Sequence, residues 1–174
     1  VDAAHGAIVD PGVGREDLRH LPLLTIDPAD ARDHDDAVWA TADDNAENPG
    51  GYKVIVAIAD VAAYVRPQSA LDREARRRGN STYFPDRVVP MLPERISNDL
   101  CSLREGEDRP ALACHMVFDS KGKKLSHRFT RAVMRSAAKL AYEEAQAAID
   151  GRGGAKANAL LDGALKPLWA AYAT

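Results

Sequence analysis

Cysteine is scarce in this chain of 174 residues, with only Cys101 and Cys114. Two thiols this placed make neither a metal-ligand spacing nor a disulfide framework, so we expect buried thiols in a reducing compartment. No charged leader followed by an apolar segment opens the sequence. No uninterrupted apolar run is long enough to span a bilayer. The expectation is a soluble, cytoplasmic protein. There is no G-x-S-x-G elbow and no glycine-rich phosphate cradle, which removes two common routes to hydrolysis and nucleotide binding. Internal repeats and low-complexity tracts are also missing. A net charge of −3 argues against indiscriminate nucleic-acid binding but leaves room for a local basic track.

What remains is an ordinary globular composition, 45% apolar and 28% charged, with length enough for one sizeable core. Val1 to Arg19 is rich in Gly, Asp and Pro, and residues 1–20 read as a linker or arm with a possible short strand at Ala7–Val9. Leu21–Ile26 predicts a buried strand ending on Asp27, and Pro28 forbids its continuation. Asp36–Thr41 resumes an extended pattern. Asn48-Pro49-Gly50-Gly51 predicts a hairpin connection into a central strand over Tyr52–Val61. Ser69–Gly79 reads as a helix, with Ser69 as N-cap and Gly79 as stop.

Prolines make Asn80–Pro93 an irregular extended segment with its tip at Tyr83-Phe84-Pro85, and Pro93–Leu103 a short helix or turn. Ala111–Asp119 and Lys124–Met134 predict a hairpin. Ala138–Ile149 predicts a helix, and Lys156–Tyr172 a second helical stretch that Pro167 splits in two. The fold class is therefore α+β, a mixed, largely antiparallel sheet with flanking helices. Leu161, Leu165, Leu168, Trp169 and Tyr172 form a C-terminal stripe that calls for a packing partner. The first residue is valine, not methionine. We read the chain as a piece of something longer.

The sharpest chemical signal is Asp27, Asp33, Asp35 and Asp36 crowded beside an apolar run. Carboxylates this close repel one another, and a cation compensates the cost. Hard oxygen donors of this kind suit Mg²⁺, with Mn²⁺ a possible substitute. Strict strand alternation would send Asp33 and Asp35 to one side and Asp36 to the other, so convergence needs a loop. An EF-hand reading fits badly, since Val38 stands where the loop glycine belongs and Ala37 where an oxygen ligand belongs. The bland alternative is an acidic surface loop. Arg73, Arg76, Arg77 and Arg78 form a basic run, either a solvated helix face or a phosphate-tracking stripe with Arg77 as candidate contact. Asp60 at the end of the central strand either orients a basic neighbour or a metal-bound water, or is a satisfied strand-end carboxylate.

Three segments in order, TIDPADARDHDDAV, VAIADVAAYVRP and LDREARRRGNSTYFPDRVVPMLPERISNDLCSL, resemble the catalytic RNB domain of the RNase II/RNase R exoribonucleases. DARDxDDAV and REARxRG bring the chain closer to the RNase R branch. The resemblance implies Mg²⁺-dependent, processive 3′→5′ hydrolysis of single-stranded RNA to nucleoside 5′-monophosphates. It carries the family's active-site carboxylates onto Asp27, Asp33, Asp35 and Asp36. Asp27 and Asp36 would be the most direct metal ligands, Asp35 the residue most damaging to lose, and Asp33 a support for the metal-and-water arrangement. It makes Tyr83 a stacking clamp on the 3′-terminal base and Asn98 a possible RNA contact. His34 stands where relatives often have an aromatic residue.

By the same resemblance, residues 21–174 correspond to the N-terminal half of an RNB domain. The remainder of that domain and flanking OB-type RNA-binding domains would then be partners in a longer chain, and this piece alone is expected to be nearly inactive. Two other readings stay open: an aspartate-nucleophile phosphohydrolase, and a non-catalytic RNA-binding or assembly module with a vestigial acidic site.

Overall fold

The computed structural model describes residues 10 and 12–174. The strand read at Ala7–Val9 lies outside them. A seven-stranded mixed sheet organises the chain. Its strands are β1 (Glu16–Asp17), β2 (Leu24–Asp27), β3 (Asp36–Ala42), β4 (Tyr52–Ala59), β7 (Asp108–Phe118), β8 (Lys124–Arg135) and β9 (Ala138–Ala141). Their order is β1-β8-β7-β4-β3-β2-β9. The interior pairs are antiparallel, while β1 on β8 and β9 on β2 are parallel additions at the two edges. The α+β expectation holds, and the β-branched run of β4 is the middle strand.

The connections follow local chemistry. Asn48 turns the β3–β4 hairpin by donating its side-chain amide to Asp43 Oδ2 (2.8 Å) and to the Phe118 carbonyl (3.0 Å). A Cβ on Gly51 would sit 2.1 Å from that Asn48 amide, so the position admits only glycine without rearrangement. Helix α1 is one turn (Val61–Tyr64), and α2 spans Ala70–Arg78. Ser69 caps α2 by accepting from the Asp72 N–H at 3.1 Å, and Gly79 ends it at φ 78°, as expected. The Tyr83 region is a two-residue-strand hairpin, β5 (Thr82–Tyr83) with β6 (Val88–Val89). A wide π-helical turn, Arg95–Leu100, follows. The β7 strand starts earlier than expected, at Asp108. It admits Pro110 because β4 has already ended opposite it, at Ala59↔Ala111.

One expectation is overturned. Ala138–Ala141, read as the start of a helix, is strand β9, and the helix α3 covers only Tyr142–Ile149. Alanine's helix propensity is a weak preference, overridden here because the open edge of β2 supplies a full parallel ladder from Leu24↔Ala138 to Asp27↔Ala141. The C-terminal stretch is α4 (Ala155–Ala159), a π-helical turn (Leu161–Leu165) and α5 (Lys166–Ala173), with Pro167 in the first turn of α5 as expected.

Two cores result. On one face, a floor of small residues (Ala37, Ala57, Ala59, Ala111, Ala113) lets Tyr64, Leu71, Ile96 and Leu103 approach closely. At the β2–β9 end, Leu24 and Leu140 pack with Ala148, Ala157 and Leu165 of the C-terminal helices. Both cysteines are free; Cys101 is buried and Cys114 half-buried. Among the described residues, no helix is long and apolar enough to cross a membrane.

Candidate active site

Strand β2 ends on Asp27 and β3 begins on Asp36, so the intervening residues leave the sheet as a loop. Pro28 starts it with a turn, the Ala31 N–H donating to its carbonyl at 3.0 Å. His34 then fixes it. Its backbone N–H donates to Ser102 Oγ (3.1 Å), its carbonyl accepts from the Leu103 N–H (2.8 Å), and its Nδ1 lies 2.8 Å from Asp27 Oδ2. The ring is 5% exposed. One residue on, the Asp35 carbonyl accepts from the Ala59 N–H at 2.9 Å. The loop is thus docked to the end of β4 and to the Ser102–Leu103 segment, although it makes no ladder of its own.

The electrostatics match the crowding. The Asp35 carboxyl is pushed up from its ordinary range, first by partial burial and then by Asp33, Asp36 and Asp27; His34 opposes the shift. Asp36 is also pushed up, by burial and then by Asp27. Asp35 and Asp36 still reach solvent. Among the described residues, no three His, Cys, Asp or Glu side chains converge tightly enough to cage an ion. The donor set nevertheless fits Mg²⁺, which binds through one or two carboxylates and leaves its other positions to water and substrate phosphate. Burial first and like-charge neighbours second raise two of the four carboxyls, and a bound cation relieves both costs.

The other residues singled out in the sequence lie in three different settings. Tyr83 is 73% exposed on the β5–β6 hairpin, next to exposed Phe84, over whose ring the Arg87 guanidinium sits at 5.0 Å. Arg77 is exposed on α2 and forms a two-pronged pair with Glu74 at 2.7 and 2.8 Å. Asn98 lies half-buried on the Arg95–Leu100 turn and accepts from Ser97 Oγ at 2.9 Å. Asp60 has found a basic neighbour: Arg15 donates to its Oδ2 at 2.7 Å, with both side chains nearly buried, and Arg131 approaches to 3.6 Å. Sequence reasoning missed the His34–Asp27 bond, the Ser102 anchor and the Arg15 partner. All three join residues distant in sequence or require a rotamer, and no local pattern encodes them.

A family model described as the RNB domain matches residues 15–170. The chain belongs to the RNB domain family. Ribonuclease R of Vibrio parahaemolyticus is 53% identical over 139 residues, which cover 80% of this chain and 16% of that protein. Ribonuclease R of Escherichia coli is 54% identical over 129 residues, 74% of this chain and 15% of that protein. Among solved structures, Mycoplasma genitalium RNase R in complex with double-stranded RNA matches with a TM-score of 0.88 at 30% identity. That match covers 98% of this RNB chain and 30% of the Mycoplasma chain. The chain therefore spans about a sixth of the length of these curated relatives. The match begins at residue 15, which takes Arg15 and strand β1 into the family's domain.

Proposed function

We propose that this RNB chain carries the carboxylate side of a metal-dependent 3′→5′ exoribonuclease site acting processively on single-stranded RNA in the cytoplasm and releasing nucleoside 5′-monophosphates. The observation that carries the reading is the docked loop between β2 and β3. It partly buries Asp35 and sets Asp33, Asp36 and Asp27 near enough that burial first, and their charges second, raise the Asp35 carboxyl. Asp27, Asp33, Asp35 and Asp36 would hold Mg²⁺ there, and when bound it would supply activation of the attacking water and neutralisation of charge on the departing 3′ oxygen.

The chain's own residues do the rest. His34 holds one oxygen of Asp27, so that the other is presented in a fixed orientation. Asp35 and Asp36 present carboxylates from the loop end and strand start. Tyr83 offers an exposed ring on which a 3′-terminal base stacks whatever its identity, at about 1–3 kcal/mol per base. Arg77 and Asn98 contact the RNA backbone as it approaches. Residues 21–174 act as the first half of an RNB domain, with the remaining half and OB-type domains as partners in the whole protein. Alone, the chain cleaves orders of magnitude more slowly, because positioning groups supply much of the acceleration in phosphoryl transfer.

The test is a graft. Residues 15–170 replace the matching segment of Escherichia coli ribonuclease R, and 5′-labelled single-stranded RNA is followed with Mg²⁺. We expect a ladder shortening from the 3′ end, abolished by Asp35→Asn while RNA binding persists. A folded graft that binds RNA without trimming it defeats the proposal and favours the binding-module reading. A trapped phosphoaspartate favours the aspartate-nucleophile reading instead.

A further inference from the structure

Behind the acidic loop lies a polar cavity of about 540 Å³ between that loop, the Asn98–Glu107 segment and strand β9. Its charged lining is unequal. Arg32, Arg104, Lys139 and Lys156 face Glu105 and Glu107. The two carboxylates are already neutralised: Lys156 Nζ donates to Glu105 Oε2 at 2.5 Å, and Arg109 Nη2 to Glu107 Oε2 at 2.5 Å. Arg104 is held by Asp99 at 3.0 Å. Among the described residues, Lys139 Nζ donates only to a neutral group, the Ala31 carbonyl at 3.1 Å. Arg32, the next residue, makes no hydrogen bond or ion pair among the described residues. Two cations from sequence-distant elements therefore meet at one cavity, neither paired with a carboxylate among the described residues.

We propose that this cavity is a phosphate-recognition site, taking the dianionic group of inorganic phosphate or of a phosphate monoester such as a nucleoside 5′-monophosphate. An arginine fork and an ammonium are the usual donors for such a group. Asn98 adds a side-chain amide whose NH₂ has no partner among the described residues. The volume accommodates more than a bare ion. His34 lines the same cavity while its Nδ1 holds Asp27, so an occupant rests against the residue that orients the acidic loop. The proposal does not depend on the exoribonuclease reading.

Isothermal titration of the chain with inorganic phosphate, adenosine 5′-monophosphate and adenosine at constant ionic strength tests it. Saturable binding of both phosphates and none of adenosine is expected. Tighter binding of the nucleotide identifies a nucleotide as the natural source, and equal binding identifies free phosphate. Arg32→Gln should weaken binding by about tenfold, corresponding to about 1.4 kcal/mol. Arg32→Lys should restore most of it, and Lys166→Gln on α5 should change nothing. Arg32 is exposed, so its replacement leaves the fold intact, and circular dichroism of each variant verifies this. Absence of saturable binding at millimolar phosphate overturns the proposal. So does binding that survives Arg32→Gln, or adenosine binding as well as its monophosphate.

Discussion

His34 joins two parts of the site through one ring. It is buried, lies with its Nδ1 2.8 Å from Asp27 Oδ2, and anchors the loop backbone to Ser102 and Leu103. Removing it leaves a cavity and strips Asp27 of a hydrogen-bond partner. His34→Ala is therefore expected to lower the unfolding free energy by about 2–3 kcal/mol in urea denaturation. His34→Phe fills the space without the bond, so its loss should be smaller. In the graft described above, both variants should lose trimming rate, because each frees the Asp27 carboxylate to rotate.

Helix α2 shows how far local chemistry alone builds an element. Ser69 supplies the cap, Asp72 sits in the first turn and Arg76 to Arg78 in the last, where each sign of charge meets the favourable end of the helix dipole. Gly79 takes a positive φ of 78° that a side chain would disfavour, and the helix ends there. Ser69→Ala should cost about 1 kcal/mol in a denaturant titration. Gly79→Ala should cost about as much, through backbone strain alone, since nothing lies within contact range of an added Cβ. Strand β9 is the opposite case. Its alanines have no local reason to extend; the edge of β2 decides.

Across the whole molecule, the segment entering the sheet is fastened by two contacts of different worth. Arg15–Asp60 is almost fully enclosed, at 7% and 6% side-chain exposure. Asp60→Ala leaves a buried guanidinium unpaired and should cost about 3–5 kcal/mol, whereas Glu74→Ala on the solvent-screened surface of α2 should cost far less. Glu16, by contrast, is only partly covered. The Arg128 hydrogen bonds hold its carboxyl at about 2, against 4.5 ordinarily. Because the folded chain releases this proton more readily than the unfolded one, the stabilisation is complete above pH 4.5 and is lost as pH falls toward about 2. Glu16→Gln should flatten that part of a stability-against-pH curve and leave neutral pH less stable than wild type.

The sheet also keeps part of one face open. Asp36 pairs with Ile58, Ile58 with Leu112 and Leu112 with Arg131, and the latter three are exposed. The C-terminal stripe behaves alike: Leu165 enters the second core, while Trp169 and Tyr172 stay exposed beside an apolar groove.

The strands around the acidic loop, the capped helix, the first-turn place of Pro167 and the family were all legible in the sequence, because each rests on neighbours in the chain: a period, a cap, a proline, a motif; the interruption of the last helical stretch at Leu160 was not. The sequence also named the four aspartates, since their crowding is a fact of spacing. Only the tertiary structure decided that Asp60 answers Arg15, that His34 holds Asp27, that Ala138–Ala141 is a strand, and that Arg32 and Lys139 meet at one cavity. Those outcomes depend on which distant groups are left without a partner when the sheet closes, and a carboxylate or a strand edge pairs with whatever the fold brings within reach.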